Sequence, residues 1–169
     1  MLSTIRTFGD WLASTDLSAT IQNVSWIIPT VQTVHIVSVA VVIGAVFLVD
    51  LRILGVFAPT QSLAALSHRF LTWIWYALAV LFLTGAILII GEPGRSLLNP
   101  AFFAKIIMIV VVAVLTYLVQ RPLRSDAGYW DSSNSRRLTL KAIAVASLVL
   151  WSLVVFAGRW IAYVTPISV

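Results

Sequence analysis

The chain contains no cysteine. Disulfides, thiolate metal centres and cysteine nucleophiles are therefore excluded, and thiol usage carries no information on redox compartment. Charge is almost as scarce: Asp, Glu, Lys and Arg make up 10% of the 169 residues, against about 25% in an ordinary soluble domain. There are two histidines and two methionines, so a soft-metal path would be poorly supplied with ligands. No glycine-rich phosphate loop, no paired-histidine zinc spacing and no nucleophile elbow is present. What remains is hydrocarbon. Apolar residues are 60% of the chain and its mean hydropathy is +1.02, the composition of an integral membrane protein. The net charge of +5 comes from residues at the ends of apolar runs, which suits membrane orientation and contact with anionic lipid headgroups rather than nucleic acid.

A membrane-crossing helix needs about 20 mostly apolar residues. Four runs meet this, at about 27–54, 66–91, 101–120 and 138–164. Pro29 falls in the first turn of its run, where proline is tolerated. Asn99 reads as a helix cap with Pro100 at the first helical position. Glu92 to Arg95 reads as a tight turn, and 122–137 as the one long flexible loop. The expected fold is all-α, an integral membrane four-helix bundle over 26–169. A short amphipathic interfacial helix is expected within 1–25, since Leu2, Ile5, Phe8, Trp11 and Leu12 recur at helical spacing. Arg6, Asp10 and Asp16 interrupt any apolar core of signal-peptide length in that segment.

The loops after the first and third runs carry Arg52, Arg69, Arg121, Arg124, Arg136, Arg137 and Lys141, seven basic residues, whereas the other side carries four, Arg6, Arg95, Lys105 and Arg159. Basic residues accumulate on the cytoplasmic side, so both termini are expected outside.

Histidine at membrane depth is costly and is read first as functional. His35 lies ~12 Å along its helix from the start, at the usual rise per residue. It is a candidate axial haem ligand, metal ligand or proton relay. The alternative is a neutral ring hydrogen-bonded to a neighbouring helix. Lys105 and Arg159 fall at the same outer level and would suit an anionic or carboxylate-bearing ligand, and each can instead snorkel to the headgroups. Gln32, one turn before His35, could add a hydrogen bond. His68 and Arg69 are expected to join Asp50 and Arg52 in an ion-pair network at the inner end. The two histidines are roughly 25 Å apart along the membrane normal by helix rise, so they cannot clamp one haem between them. A faint internal repeat pairs the run from His35 to Arg52 with the run from Lys105 to Arg121. Parallel hairpins of this kind occur in some transporters. Ala40 with Gly44, and Gly85 with Ala86, are small residues that let helices approach.

The stretch from His35 through Asp50-Leu-Arg52, with Phe102-Phe-Ala-Lys105-Ile-Ile-Met108, resembles small four-helix bacterial membrane proteins. It is similar to HemJ-type protoporphyrinogen oxidases and to the CopD copper-resistance membrane proteins. It is closer to an uncharacterised family of short bacterial membrane proteins whose first helix ends in the pattern seen here from Asp50 to Gly55. The resemblance implies a bacterial inner membrane location, in which the basic bias puts both termini in the periplasm, and a b-type haem with His35 as ligand and Lys105 as a companion residue. The functional expectation is a redox protein holding haem b through a single histidine in the outer leaflet, exchanging electrons with quinone or a periplasmic redox protein. The alternatives are an accessory subunit without chemistry, docking through its N-terminus and third loop, and a CopD-like copper-handling protein. Membrane lipids are expected partners, as are further copies of the chain or a larger membrane complex; nucleic acid is not.

Overall fold

The computed structural model describes residues 2–58, 60–160 and 163. Seven α-helices follow one another among them: α1 (Leu2–Ala13), α2 (Asp16–Asn23), α3 (Ile27–Ile53), α4 (Leu63–Gly91), α5 (Pro93–Leu97), α6 (Pro100–Ser125) and α7 (Asn134–Trp160). A 3₁₀ turn at Tyr129–Asp131 lies between the last two. Helices α3, α4, α6 and α7 are long and apolar enough to cross a membrane. At the α-helical rise the 27 residues of α3 extend ~40 Å, more than a hydrocarbon core of about 30 Å. Such lengths suggest membrane insertion.

The long helices start where the local chemistry dictates. Ser62 caps α4, its Oγ accepting from the Ala65 amide at 3.2 Å. Asn99 caps α6 through Oδ1 and the Ala101 amide at 3.0 Å, with Pro100 in the first turn. Three expectations are corrected at the connections. Glu92 to Arg95 is no simple turn, because Pro93 starts the short helix α5. The 1–25 segment holds two helices, split where Thr15 Oγ1 accepts from the Ser18 amide at 3.3 Å. The third loop is short and anchored. Helix α6 runs on through Pro122 to Ser125, and Trp130 turns inward with its indole N–H donating to Val119 O at 3.1 Å. A proline this close to a helix end removes one ladder hydrogen bond without breaking the helix. The expected end of the last span, at 164, lies outside the described residues.

Helix α3 packs along α4, and α6 along α7; α3 also meets α7, while α4 and α6 touch only slightly. Two apolar clusters fill the interior. Val42, Val46, Ile74, Val112, Trp151 and Val154 form the middle one. Val49, Ile53, Val119, Trp130, Leu140 and Ala144 form the one toward the α3–α4 loop. The outward faces are also apolar: Ile36, Val37, Phe82, Ile107, Val114 and Val149 are all exposed, as lipid-facing positions would be.

The N-terminal helices close the other end. Ser18 is fully buried, and its hydroxyl donates to Ile90 O at 2.7 Å. The Gln22 amide donates to Gly91 O at 2.8 Å. Carbonyls in the last turn of a helix have no partner within it, so α2 supplies donors for the end of α4. The approach is close enough that a Cβ at Gly91 would meet Ile21 Cγ2 at 2.9 Å. Helix α1 lies against α5, with Gly9 beside Leu97. Its Phe8 and Trp11 rings stand exposed with centroids 5.6 Å apart, an aromatic pair of the kind favoured at a membrane surface.

Candidate functional site

His35 is half-buried on α3, and its Nδ1 lies 2.8 Å from Thr84 Oγ1 on α4. The tautomer follows from the threonine. Thr84 Oγ1 lies 2.7 Å from Val80 O, a geometry in which its single proton is donated back into its own helix. Its oxygen is then an acceptor for His35, so Nδ1 carries the ring proton and Nε2 keeps its lone pair. This is the arrangement by which a ligating histidine is oriented, one nitrogen anchored and the other free to bind. A Cβ at Gly85 would stand 3.7 Å from the ring carbon Cε1, so the imidazole lies flush against that glycine.

Lys105, half-buried on α6, extends toward α7. Its Nζ lies 3.5 Å from where a Cβ of Gly158 would be, and its stem follows the same glycine. The half of the bundle nearer α1 and α2 thus holds one imidazole and one amine, each resting on a glycine of the paired helix. Arg159 and Gln32 are exposed. Arg159 engages Tyr163, donating to its hydroxyl at 3.1 Å with the guanidinium 5.4 Å from the ring centroid. The His35 ring makes its hydrogen bond with Thr84 on the neighbouring helix. Nothing in the sequence singles out Thr84, although the small pair Gly85-Ala86 beside it marks a close helix approach.

The inner end differs from expectation. His68 and Arg69 are exposed. Arg52 does not pair with Asp50: its Nε and Nη2 both donate to Gln61 O. Asp50 is instead buried in the bundle, 6% exposed, where Ser147 of α7 lines the same cavity. The expected ion-pair network is therefore absent among the described residues. Their two salt bridges, Arg95 to Glu92 and Arg137 to Asp131, lie on exposed surface. Asp50 follows His35 on α3 by fifteen residues, and Gln120 follows Lys105 on α6 by the same interval. Each pair spans ~22 Å along its helix. Polar groups thus sit at two levels, with the tightly packed layer of Val42, Ile74 and Val112 between them.

No curated protein and no solved structure matches the chain, so the comparisons show no likeness to protoporphyrinogen oxidases or copper-resistance proteins. A family model does match, over residues 9–164, from the first helix to beyond α7. By that match the chain belongs to a family of unknown function, DUF6644.

Proposed function

We propose that this chain is a bacterial inner-membrane redox protein in which His35 serves as the single axial ligand of a b-type haem, in the half of the bundle nearer its N-terminal helices. The observation that carries the reading is the 2.8 Å contact of His35 Nδ1 with Thr84 Oγ1; with the threonine proton directed to Val80 O, this contact leaves Nε2 as an unprotonated donor atom. Among the described residues no three His, Cys, Asp or Glu side chains gather where they could hold a metal ion. A bare copper or zinc ion would lack ligands, which argues against the copper-handling alternative. A haem asks less, because its macrocycle already ligates the iron and the protein need add only an axial group. The donor set fits that demand.

When bound, the haem supplies one-electron exchange at its iron, with quinone or a periplasmic redox protein as the other party. The remaining work falls to the protein. Thr84 fixes the plane and tautomer of the ring. Gly85 leaves room for it against α4. Lys105, borne on Gly158, offers a cation to a carboxylate side group of the ligand and favours added negative charge nearby. By the Lys and Arg bias, this end of the bundle and both termini face the periplasm.

The test is the absorption spectrum of the detergent-purified protein, oxidised and reduced, after supplementation with haem. A Soret band lost in His35→Ala is the expected result. Lys105→Ala should keep the band and lower the midpoint potential, since a nearby cation stabilises the reduced state. A colourless, iron-free protein after supplementation would overturn the proposal.

A further inference from the structure

A second polar site lies in the other half of the bundle, independent of His35. A cavity of about 30 Å³ lies there between the two apolar clusters, lined by Asp50 of α3, Ser67 of α4, Thr116 and Gln120 of α6, and Ser147 of α7. All four long helices contribute a polar side chain to it. Asp50, Ser67 and Gln120 are 6%, 3% and 3% exposed, and Asp50 Oδ2, Ser67 Oγ and Gln120 Nε2 have no hydrogen-bond partner in the protein. A buried polar atom without a partner costs roughly 1–3 kcal/mol. Three such atoms around one void would be a heavy penalty unless something in the void meets them.

Water does. A void needs roughly 10–15 Å³ to hold one water, and buried waters typically join groups that are otherwise unsatisfied. The hydrogen-bond roles are complementary. Gln120 Oε1 accepts from the Trp75 indole at 3.3 Å, which fixes the amide and leaves its NH₂ group as the free donor. Asp50 Oδ2 is a free acceptor, and the Ser67 hydroxyl can act either way. A water accepting from Gln120 and donating to Asp50 satisfies both. The same free N–H group argues against a metal cation, which would meet hydrogens where it needs oxygen lone pairs. No other titratable residue lines the cavity. Arg69 and His68 on α4, Arg121 on α6 and Lys141 on α7 are exposed, and Arg52 on α3 is held by Gln61 O.

We infer that Asp50, Ser67, Gln120 and Ser147 form an intramembrane site that holds water and binds and releases a proton at the Asp50 carboxyl. The close-packed layer of Val42, Ile74 and Val112 separates it from the His35 level, so the proton is exchanged with one side of the membrane and is not conducted through the bundle.

Infrared spectroscopy of the full chain in lipid nanodiscs, across a pH titration in H₂O and D₂O, tests this without any haem. The expected result is a protonated-carboxyl C=O band that titrates with pH, shifts in D₂O and is missing in Asp50→Asn. Gln120→Leu should shift the frequency of that band because the bridging water loses its donor. Proteoliposomes under a potassium diffusion potential should show no proton flux above empty vesicles. A carboxyl band insensitive to both Asp50→Asn and Gln120→Leu, or one that fails to shift in D₂O, overturns the site. A band altered by sodium at constant pH replaces the proton with a cation and also overturns it. Flux abolished by Asp50→Asn overturns the one-sided access.

Discussion

His35 Nδ1 and Thr84 Oγ1 are 2.8 Å apart, and Thr84 has already committed its proton to Val80 O. One short contact between two helices therefore decides which ring nitrogen is available. Thr84→Val keeps the shape of the side chain and removes the acceptor. The ring should then populate both neutral tautomers, visible in ¹⁵N chemical shifts of labelled histidine. Interhelical polar bonds of this kind average about 0.6 kcal/mol and reach about 1.7 kcal/mol, so the loss of stability should be small. An unchanged Nδ1–H tautomer in the valine variant would show that Thr84 does not set it.

Gly158 bears the Lys105 stem, and a methyl group on that glycine would stand 3.5 Å from Nζ. Gly158→Leu should push the amine out of the bundle toward the headgroups, whereas Gly158→Ala is accommodated by a small shift of the flexible lysine stem. Amine-reactive labelling of Lys105 in intact vesicles reads the difference. Equal labelling in the leucine variant and the parent chain would contradict the packing.

Trp130 ties the third connection to α6 through its indole bond to Val119 O and is 8% exposed. Replacing a buried Trp by Ala typically costs about 3–5 kcal/mol. Trp130→Ala should lower the thermal midpoint in detergent and open the segment between Ser125 and Asn134 to protease. Continued resistance of that segment would mean the anchor is elsewhere.

The absence of cysteine makes single introduced thiols clean reporters. Thr4→Cys and Ser132→Cys replace exposed residues near opposite ends of the bundle. With the proposed orientation, an impermeant maleimide added to intact cells should label residue 4 at once, and residue 132 only after permeabilisation. The reverse order inverts the topology.

Gly91 meets Ile21 Cγ2 at 2.9 Å once given a Cβ. Gly91→Val should lift α2 from the end of α4 and expose a Ser18→Cys probe that is otherwise buried. A loss of about 1.4 kcal/mol in docking would raise its labelling rate about tenfold. An unaltered rate would mean that α2 adjusts without undocking.

Helix positions are legible in the sequence because their signals are local. α3 begins at Ile27 as expected and ends at Ile53, one residue early, and the Asn99 cap with Pro100 is as read. The small helices α2 and α5 are not legible, since the segments from Asp16 and from Pro93 are too short for periodicity to register. The site is legible only in part. A helix that is apolar all round gives no sign of which face turns inward, so His35 stands out by its chemistry while its partner Thr84 does not. Asp50 misleads for the same reason. Beside Arg52 in the sequence it suggests an ion pair, but the two side chains leave the helix in different directions, one into the bundle and one back to Gln61 O. Trp130, in a stretch of polar residues, gives no hint that it is the anchor.

The bond from Ser18 to Ile90 joins residues 72 positions apart. During synthesis the leading helices emerge long before the carbonyls that receive them, and they wait undocked until the second span is complete. Their seating then marks the first hairpin as finished while α6 and α7 are still to come. A fault in the opening twenty-odd residues would leave the end of α4 without the donors that Ser18 and Gln22 supply.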